Sequence, residues 1–532
     1  MKNSTAAVTR HAGLISRTRS ANGLTLSTTS LNPIGTVTNS GTGTGSTLIS
    51  AVLGTNVTGV TQNSATSPLT LSGANTSTGL TTVSAGALRA TSSPSALGAL
   101  SAGNLALTAG TLELANDTGL NFARNTTVSG GATIKSDTLT AVPGATHTLG
   151  TLAIGAHTLS LAYGANVASG TAGVTFGTTT LSGAATLDTA ANTAFTLAAV
   201  GETGSARSLT KQGAGSLTFT GSNSFTGGFT QSAGTTTVNT GASLSAASAP
   251  LAVNGGTLNL NNSAQTVSSL SGSGGTINFG TGHTLTLNQI GNNTLVSALG
   301  GAGNLNFSGG GTATLSGGGG GSGTFTASGG STYQLGPNSG LPSSSNLTLT
   351  GGNLSLGAYT QTLGKLTLGA GVSTIDFGAG ASTLVFAAIT GQTSTGTLSI
   401  ANYTAASGES LKFGTDSSSV TGGSLSAISF SGYSPSGATV TGGFVVPAGS
   451  AIPEPSTYAA LAGALALLVA VNRSRSRSLN LSLSPPALPT RAAPPKHFPT
   501  LQDSADGEPV NKSRAHGPSG AFARSIPKSA GS

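Results

Sequence analysis

The feature that most constrains this chain is one short pattern written again and again. Three to five residues alternate apolar with polar and are closed off by glycine, as in Leu217-Thr218-Phe219 and Leu285-Thr286-Leu287. Alternation sends Leu, Val, Ile and Phe to one face of a strand and Thr, Ser and Asn to the other. Strands this short, bounded by Gly-Gly, Ser-Gly and Asn, have too little apolar surface to bury alone. Successive units must therefore stack so that each apolar row shields the next.

The units are also copies of one another. Residues 69–90 (LTLSGANTSTGLTTVSAGALRA) align without a gap with 217–238 (LTFTGSNSFTGGFTQSAGTTTV), sharing Gly73/Gly221, Asn75/Asn223, Thr78/Thr226 and Gly79/Gly227. A second alignment carries 251–270 onto 347–366 at an offset of 96 (347 − 251), with Gly256/Gly352 and Gln265/Gln361 in step. Copies thus fall near 61–150, 211–306 and 307–400. The predicted fold is all-β, a right-handed parallel β-helix (solenoid): inward aliphatic ladders, glycine corners at φ > 0, and turns of roughly 20–25 residues, four or five to a copy. An antiparallel sandwich of hairpins is the alternative, and gapless tandem copying counts against it.

Around the repeat region 61–380, the remaining segments read as follows. Residues 1–60 form an N-terminal segment of low order, in which no apolar run reaches the length of a secretory leader. Residues 381–446 concentrate aromatics that are sparse elsewhere and are predicted to cap the last turn, with strands near Thr383–Phe386, Thr397–Ile400 and Ser424–Phe430. Residues 478–532, rich in Pro, Arg, Ser and Ala and without periodicity, read as a disordered basic extension.

Charge narrows the function. Residues 30–450 hold 7 basic and 8 acidic groups, a net of −1, so the body offers no basic face to phosphates and nucleic acid is not an expected partner. Cysteine is absent, which removes disulfides and thiolate metal sites. Enzymes built on β-helices need clustered carboxylates, or a carboxylate with Arg and Lys, on adjacent turns. The candidates here are Glu113 with Asp117, Asp376 with Lys365, and Glu409, Lys412 and Asp416; each reads better as a group on a solvated turn. His147, His157 and His283 precede strands in similar positions and read as turn or surface histidines rather than a metal stack. The acids are too few for calcium-binding repeats. Thr-x-Thr pairs suggest an ice-binding face, but such a face needs an even array, and the irregular gaps along the chain argue against it. No catalytic residue, metal or cofactor is expected.

The segment 447–477 has a different organisation. A Pro-Ala-Gly-Ser hinge leads to Ile452-Pro453-Glu454-Pro455-Ser456-Thr457-Tyr458, then an apolar run from Ala459 to Val471, then Arg473, Arg475 and Arg477. Wound as a helix, the stretch from Ser456 to Val471 is about 24 Å long, against a hydrocarbon core of roughly 30 Å. On length alone the run is a weak span, an interfacial helix or a buried helix. The arginines after it favour a transmembrane segment with its C-terminal side in the cytoplasm.

Polar motif, apolar run and basic stop in this order closely resemble the PEP-CTERM sorting signal of Gram-negative bacteria. The resemblance implies recognition by an exosortase-like membrane transpeptidase and removal of the signal as the protein reaches the envelope or extracellular matrix. Pro453, Glu454 and Pro455 would be the recognised residues and Arg473, Arg475 and Arg477 the stop. Members of that family end a few residues after the arginines, whereas this chain continues well beyond Arg477, to Ser532. The repeats resemble the autotransporter-associated β-strand repeat, with Ser77 and Phe225 at its usual Tyr position. Together the resemblances imply a secreted or cell-envelope structural, adhesin-like protein associated with exopolysaccharide. A secreted β-helix carbohydrate-active enzyme and a non-exported, frame-altered product are the alternatives.

Overall fold

A computed structural model describes residues 14–15, 23–100, 103–261, 264–337, 340–390, 396–404, 407–415, 417, 420, 422–452 and 455–478. The chain divides into two compact units, Met1–Ile452 and Pro453–Ser532.

Among the described residues, the first unit is almost entirely short strands. They build a nine-stranded sheet (Leu14–Ile15 to Val200–Glu202), a twelve-stranded sheet (Leu24–Leu26 to Ser269–Ser271) and an eight-stranded sheet (Thr146–Thr148 to Ala298–Gly301). A second eight-stranded sheet (Ala264–Val267 to Ser410–Phe413) and a seven-stranded sheet (Asn292–Leu295 to Ile428–Phe430) follow. Neighbours in all five run parallel. Beyond Gly301 the strands alternate between the second eight-stranded and the seven-stranded sheets. From Thr146–Thr148 to Ser216–Phe219 the chain visits three sheets in rotation: Leu152–Ile154, Thr158–Tyr163, Ala172–Phe176, then round again. One circuit is one turn with three sides, and the fold is the parallel β-solenoid that the repeats demand.

Register measures the turns. Leu69, Leu88, Leu112, Ile134 and Leu161 stand side by side in the twelve-stranded sheet, and all are buried, although their spacing along the chain is uneven. The extra residues of the longer turns are looped out at corners, so the inward row stays in line. Each such side chain contributes about 1.5–3 kcal/mol by leaving water, and the contribution depends on the turns above and below.

The copied residues hold the corners together. Residues 72–79 and 220–228 contain no strand, so their backbone has no ladder to join. Asn75 supplies the missing bonds: its Oδ1 accepts the N–H of Leu53 at 2.8 Å and its Nδ2 donates to the carbonyl of Ala96 at 2.6 Å. Asn223 repeats this, accepting from Val200 at 2.7 Å and donating to Ser243 at 2.6 Å. Each buried amide thus ties the preceding turn to the following one. At Gly79 and Gly227 a Cβ would strike the backbone of the turn below, at Thr58 and Arg207. The same turn-to-turn closeness that forms the core excludes a side chain there.

The stack starts earlier and ends later than the sequence pattern indicates. Leu24–Leu26 already pairs in parallel with Thr47–Ile49, which corrects the expectation of low order over the later part of 1–60. These turns are filled by Val37, Ala51, Leu53 and Val57 and by a buried Asn39–Gln62 amide pair, a mixture that leaves a weak apolar signal. At the other end, the strands expected in the cap occur as Thr383–Thr390, Gly396–Ala401 and Ile428–Phe430, but they pair in parallel with earlier turns and belong to the stack. Residues 422–425, which include the start of the third expected strand, form a short helix instead. Closure falls to the antiparallel pair Ala438–Thr441 with Phe444–Pro447, which buries Val445 and places the Phe444 ring 4.3 Å from the Lys412 ammonium. Tyr403, Phe430 and Tyr433 pack edge to face beside it, at 5.0 and 6.2 Å.

Candidate functional site

Ionic side chains are scarce in the body, and four of them converge on one side of the twelve-stranded sheet. Strands Ala87–Thr91, Thr111–Ala115 and Ala132–Asp137 place Arg89, Glu113 and Lys135 in register on three successive turns. One Arg89 nitrogen, Nη1, donates to Glu113 Oε1 and lies 3.1 Å from Asp137 Oδ2, while Nη2 donates to the carbonyl of Thr138 at 3.3 Å. Asp137 is fully buried, and its Oδ1 accepts the N–H of Asn166 at 2.9 Å. Burial pushes the Glu113 carboxyl above its ordinary range; Arg89 opposes this, and the hydrogen-bonded Asp137 carboxyl adds to the rise.

Two carboxyls held close together are raw material for acid–base chemistry. In this cluster Arg89 occupies the position between the two acids that a reacting group would need. The charges bind one another across three turns and act as an outer clasp on the stack.

The residues singled out from sequence are distributed differently. Glu113 is in the cluster, but Asp117 caps the 139–140 turn, accepting from the N–H groups of Leu139 and Thr140 at 2.7 and 2.9 Å. Asp376 binds Gly378 N–H and the Asn402 amide, at 2.9 and 2.7 Å, in the seven-stranded sheet, while Lys365 is exposed on the second eight-stranded sheet. Glu409 is buried and accepts from Thr404 N–H, Lys412 lies over Phe444, and Asp416 falls outside the described residues. Arg89, Lys135 and Asp137 carry no local motif that marks them. Arg89 and Lys135 stand one turn to either side of Glu113 in register, and a search for charges spaced by one turn would find them.

His147 is a correction. It is fully buried in the strand Thr146–Thr148, with Nδ1 accepting from Leu120 N–H and Nε2 donating to the Asp137 carbonyl, each at 3.1 Å. Its ring packs 5.9 Å from Phe122, and burial holds its pKa below the usual histidine value. His157 and His283 are half-buried. Among the described residues, no three His, Asp or Glu side chains gather where they could hold a metal ion.

Two other cations are plugs rather than reagents. Arg124 is buried and donates to the carbonyls of Gly79, Ala99 and Asn104 at 3.0, 3.3 and 3.2 Å; burial lowers its pKa to about 10. Lys211 donates to Gln212, Gly213 and Ala233 at 2.9, 2.9 and 3.2 Å, and burial lowers it to about 8 against the pull of Asp188.

In the second unit a helix spans Pro455–Ser478. It includes Pro455 and the three arginines; Arg473 is exposed, and the side chains of Pro455, Arg475 and Arg477 lie outside those described. Pro453 and Glu454 lie outside the described residues altogether. The apolar run is helical, with Leu461, Leu465 and Leu468 exposed. Among the described residues, no helix is long and apolar enough to cross a membrane, so the transmembrane reading of Ala459 to Val471 is not met by the helix itself.

Among the described residues, the fold is a repetitive solenoid whose Arg89, Glu113 and Asp137 pair with one another across successive turns. The repeat itself is assignable: a family model of the passenger-associated-transport-repeat matches residues 69–90 and 209–246. Both segments contain the Asn and Gly residues that tie one turn to the next. No curated protein and no solved structure matches the chain.

Proposed function

We propose that this protein is a secreted, non-catalytic component of the Gram-negative cell surface, adhesin-like, whose stacked body associates with extracellular polysaccharide. The observation that carries the reading is that passenger-type repeats lie inside an unbroken parallel stack. In this reading the segment 447–477 is a sorting signal: an exosortase-like transpeptidase engages Pro453, Glu454 and Pro455, the run from Ala459 to Val471 anchors the chain transiently in the inner membrane, and Arg473, Arg475 and Arg477 hold the cytoplasmic side. Nucleic acid is not a partner.

Fractionation of cells expressing the full chain with an epitope in the 435–437 turn tests this. The expected result is a shortened, surface-exposed or released species from the natural sequence, and a full-length, membrane-retained one from Pro453→Ala/Glu454→Ala. Full-length protein in the cytoplasm in both cases refutes the sorting reading.

The ladder of Arg89, Glu113 and Lys135 across three turns is the one observation that favours a carbohydrate-active enzyme. Its internal pairing argues against that reading. Release of reducing or unsaturated ends from polysaccharide by the purified chain, abolished in Glu113→Gln, would establish the enzyme instead.

A further inference from the structure

From residue 212 to residue 364 the chain has no Asp, Glu, Lys or Arg. Within this stretch, the second eight-stranded sheet aligns Thr266, Thr286, Asn306, Thr326 and Thr348 in one outward row that continues to Thr367. Each residue is the register partner of the next, with nearly equal steps along the chain and no bulge between them. A second outward row lies two residues earlier on the same strands, including Thr284, Asn304, Thr324 and Asn346. The residues between them, Leu285, Leu305, Phe325 and Leu347, are buried.

The uneven gaps along the chain are therefore absorbed at the corners, and the outer face is an even lattice. Turns repeat at ~4.8 Å, and side chains two apart on a strand stand ~6.7 Å from each other. Threonine is stiff at χ1, so methyl and hydroxyl are held in place. Asn304 and Asn346 direct their Oδ1 atoms to the next turn's N–H, at 2.9 and 2.8 Å, which fixes those side chains too. Among the described residues, the side chains of Thr286, Thr326 and Thr348 enter no hydrogen bond; on the inner side the Tyr333 hydroxyl donates to the Thr326 carbonyl at 3.1 Å.

The lattice selects its partner. An ionic polymer gains little from the rows up to Asn346 and Thr348, which carry no charge; the exposed Lys365, whose backbone N–H donates to Asn346 Oδ1, marks where the uncharged lattice ends. On the strands that carry the two rows, the aromatic rings Phe307 and Phe325 point inward, and Tyr359, at the corner before Gln361, is half-buried and packs against the core, so the rows themselves offer a sugar ring nothing to stack on. A single flexible strand would use one row, whereas the surface repeats in two directions. A matching partner is uncharged, hydrogen-bonding and itself periodic in two dimensions. We propose that this threonine-rich face of the second eight-stranded sheet binds ice.

The test is slow partitioning of the purified full chain into growing ice, together with inhibition of ice recrystallisation. The natural sequence is expected to enter ice and restrain grain growth, and Thr286→Lys/Thr326→Lys to lower incorporation by about ten-fold, one decade of affinity. Thr237→Lys, outward on the first eight-stranded sheet, is the control that should leave it unchanged. Unaltered circular dichroism in all three separates loss of the face from loss of fold. Exclusion of the natural sequence from ice, or equal loss in the control, overturns the proposal. So does face-dependent binding to crystalline cellulose or self-association without any effect on ice. None of these outcomes bears on where the protein is sorted.

Discussion

Replacing Asn223 by alanine isolates what the amide ties contribute. The side chain satisfies two backbone groups, the buried Val200 N–H at 2.7 Å and the partly buried Ser243 carbonyl at 2.6 Å. A buried polar group left unpaired costs about 1–3 kcal/mol, so the two together cost about 2–5 kcal/mol, less whatever a water entering the vacated space restores. Because each turn touches only its neighbours, the loss concentrates at the turns containing Val200 and Ser243 and is not spread over the stack. The assay is amide hydrogen exchange resolved to single residues, with guanidinium unfolding as a second measure. The Val200 amide should exchange about 30–4,000-fold faster, since each ~1.4 kcal/mol is a factor of ten, and the denaturation midpoint should fall. Ser224→Ala, one residue away on the exposed side, should change stability by less than ~0.5 kcal/mol. Unchanged exchange at Val200 in the Asn223→Ala chain would refute the idea that these amides replace missing ladder bonds.

Two further outcomes follow from the buried charges. His147 is held neutral, with its folded pKa below the ordinary ~6.5, so its contribution to stability is complete above that pH and declines as the unfolded chain takes up the proton on acidification. The midpoint of urea unfolding should drop as the pH falls below about 6.5, and His147→Gln should remove that part of the slope. Arg89→Gln strips the shared cation from Glu113 and the fully buried Asp137 and should cost about 3–5 kcal/mol, whereas Glu113→Gln leaves Arg89 paired with Asp137 and should cost less, both read from thermal unfolding.

The alternation of apolar and polar residues makes the stacked fold legible, because period two with glycine corners admits few other ways of burying so thin an apolar row. The aligned Asn75/Asn223 and Gly79/Gly227 mark corner positions, and the structure supplies the reason for both. What the alignments do not carry is the side of the turn. Leu69 lies in the twelve-stranded sheet and its counterpart Leu217 in the first eight-stranded one; Leu251 and Leu347 are likewise on different sheets. All sides bury the same kind of row, so a copy fits wherever the accumulated turn lengths place it. The Arg89–Glu113–Lys135 ladder is hidden for the same reason, since pairing across turns of unequal length depends on how much chain each corner loops out. His147 looks like a corner histidine because its strand, Thr146–Thr148, is so short.

A body whose every level is bonded only to the levels beside it can grow by copying. Inserting a segment of about 20 residues that begins and ends at a corner raises the column by ~4.8 Å and changes contacts only at the two levels it separates. Reach would then be a quantity that gene duplication adjusts in small steps, and the paired segments still visible in this chain are what such stepwise heightening leaves behind.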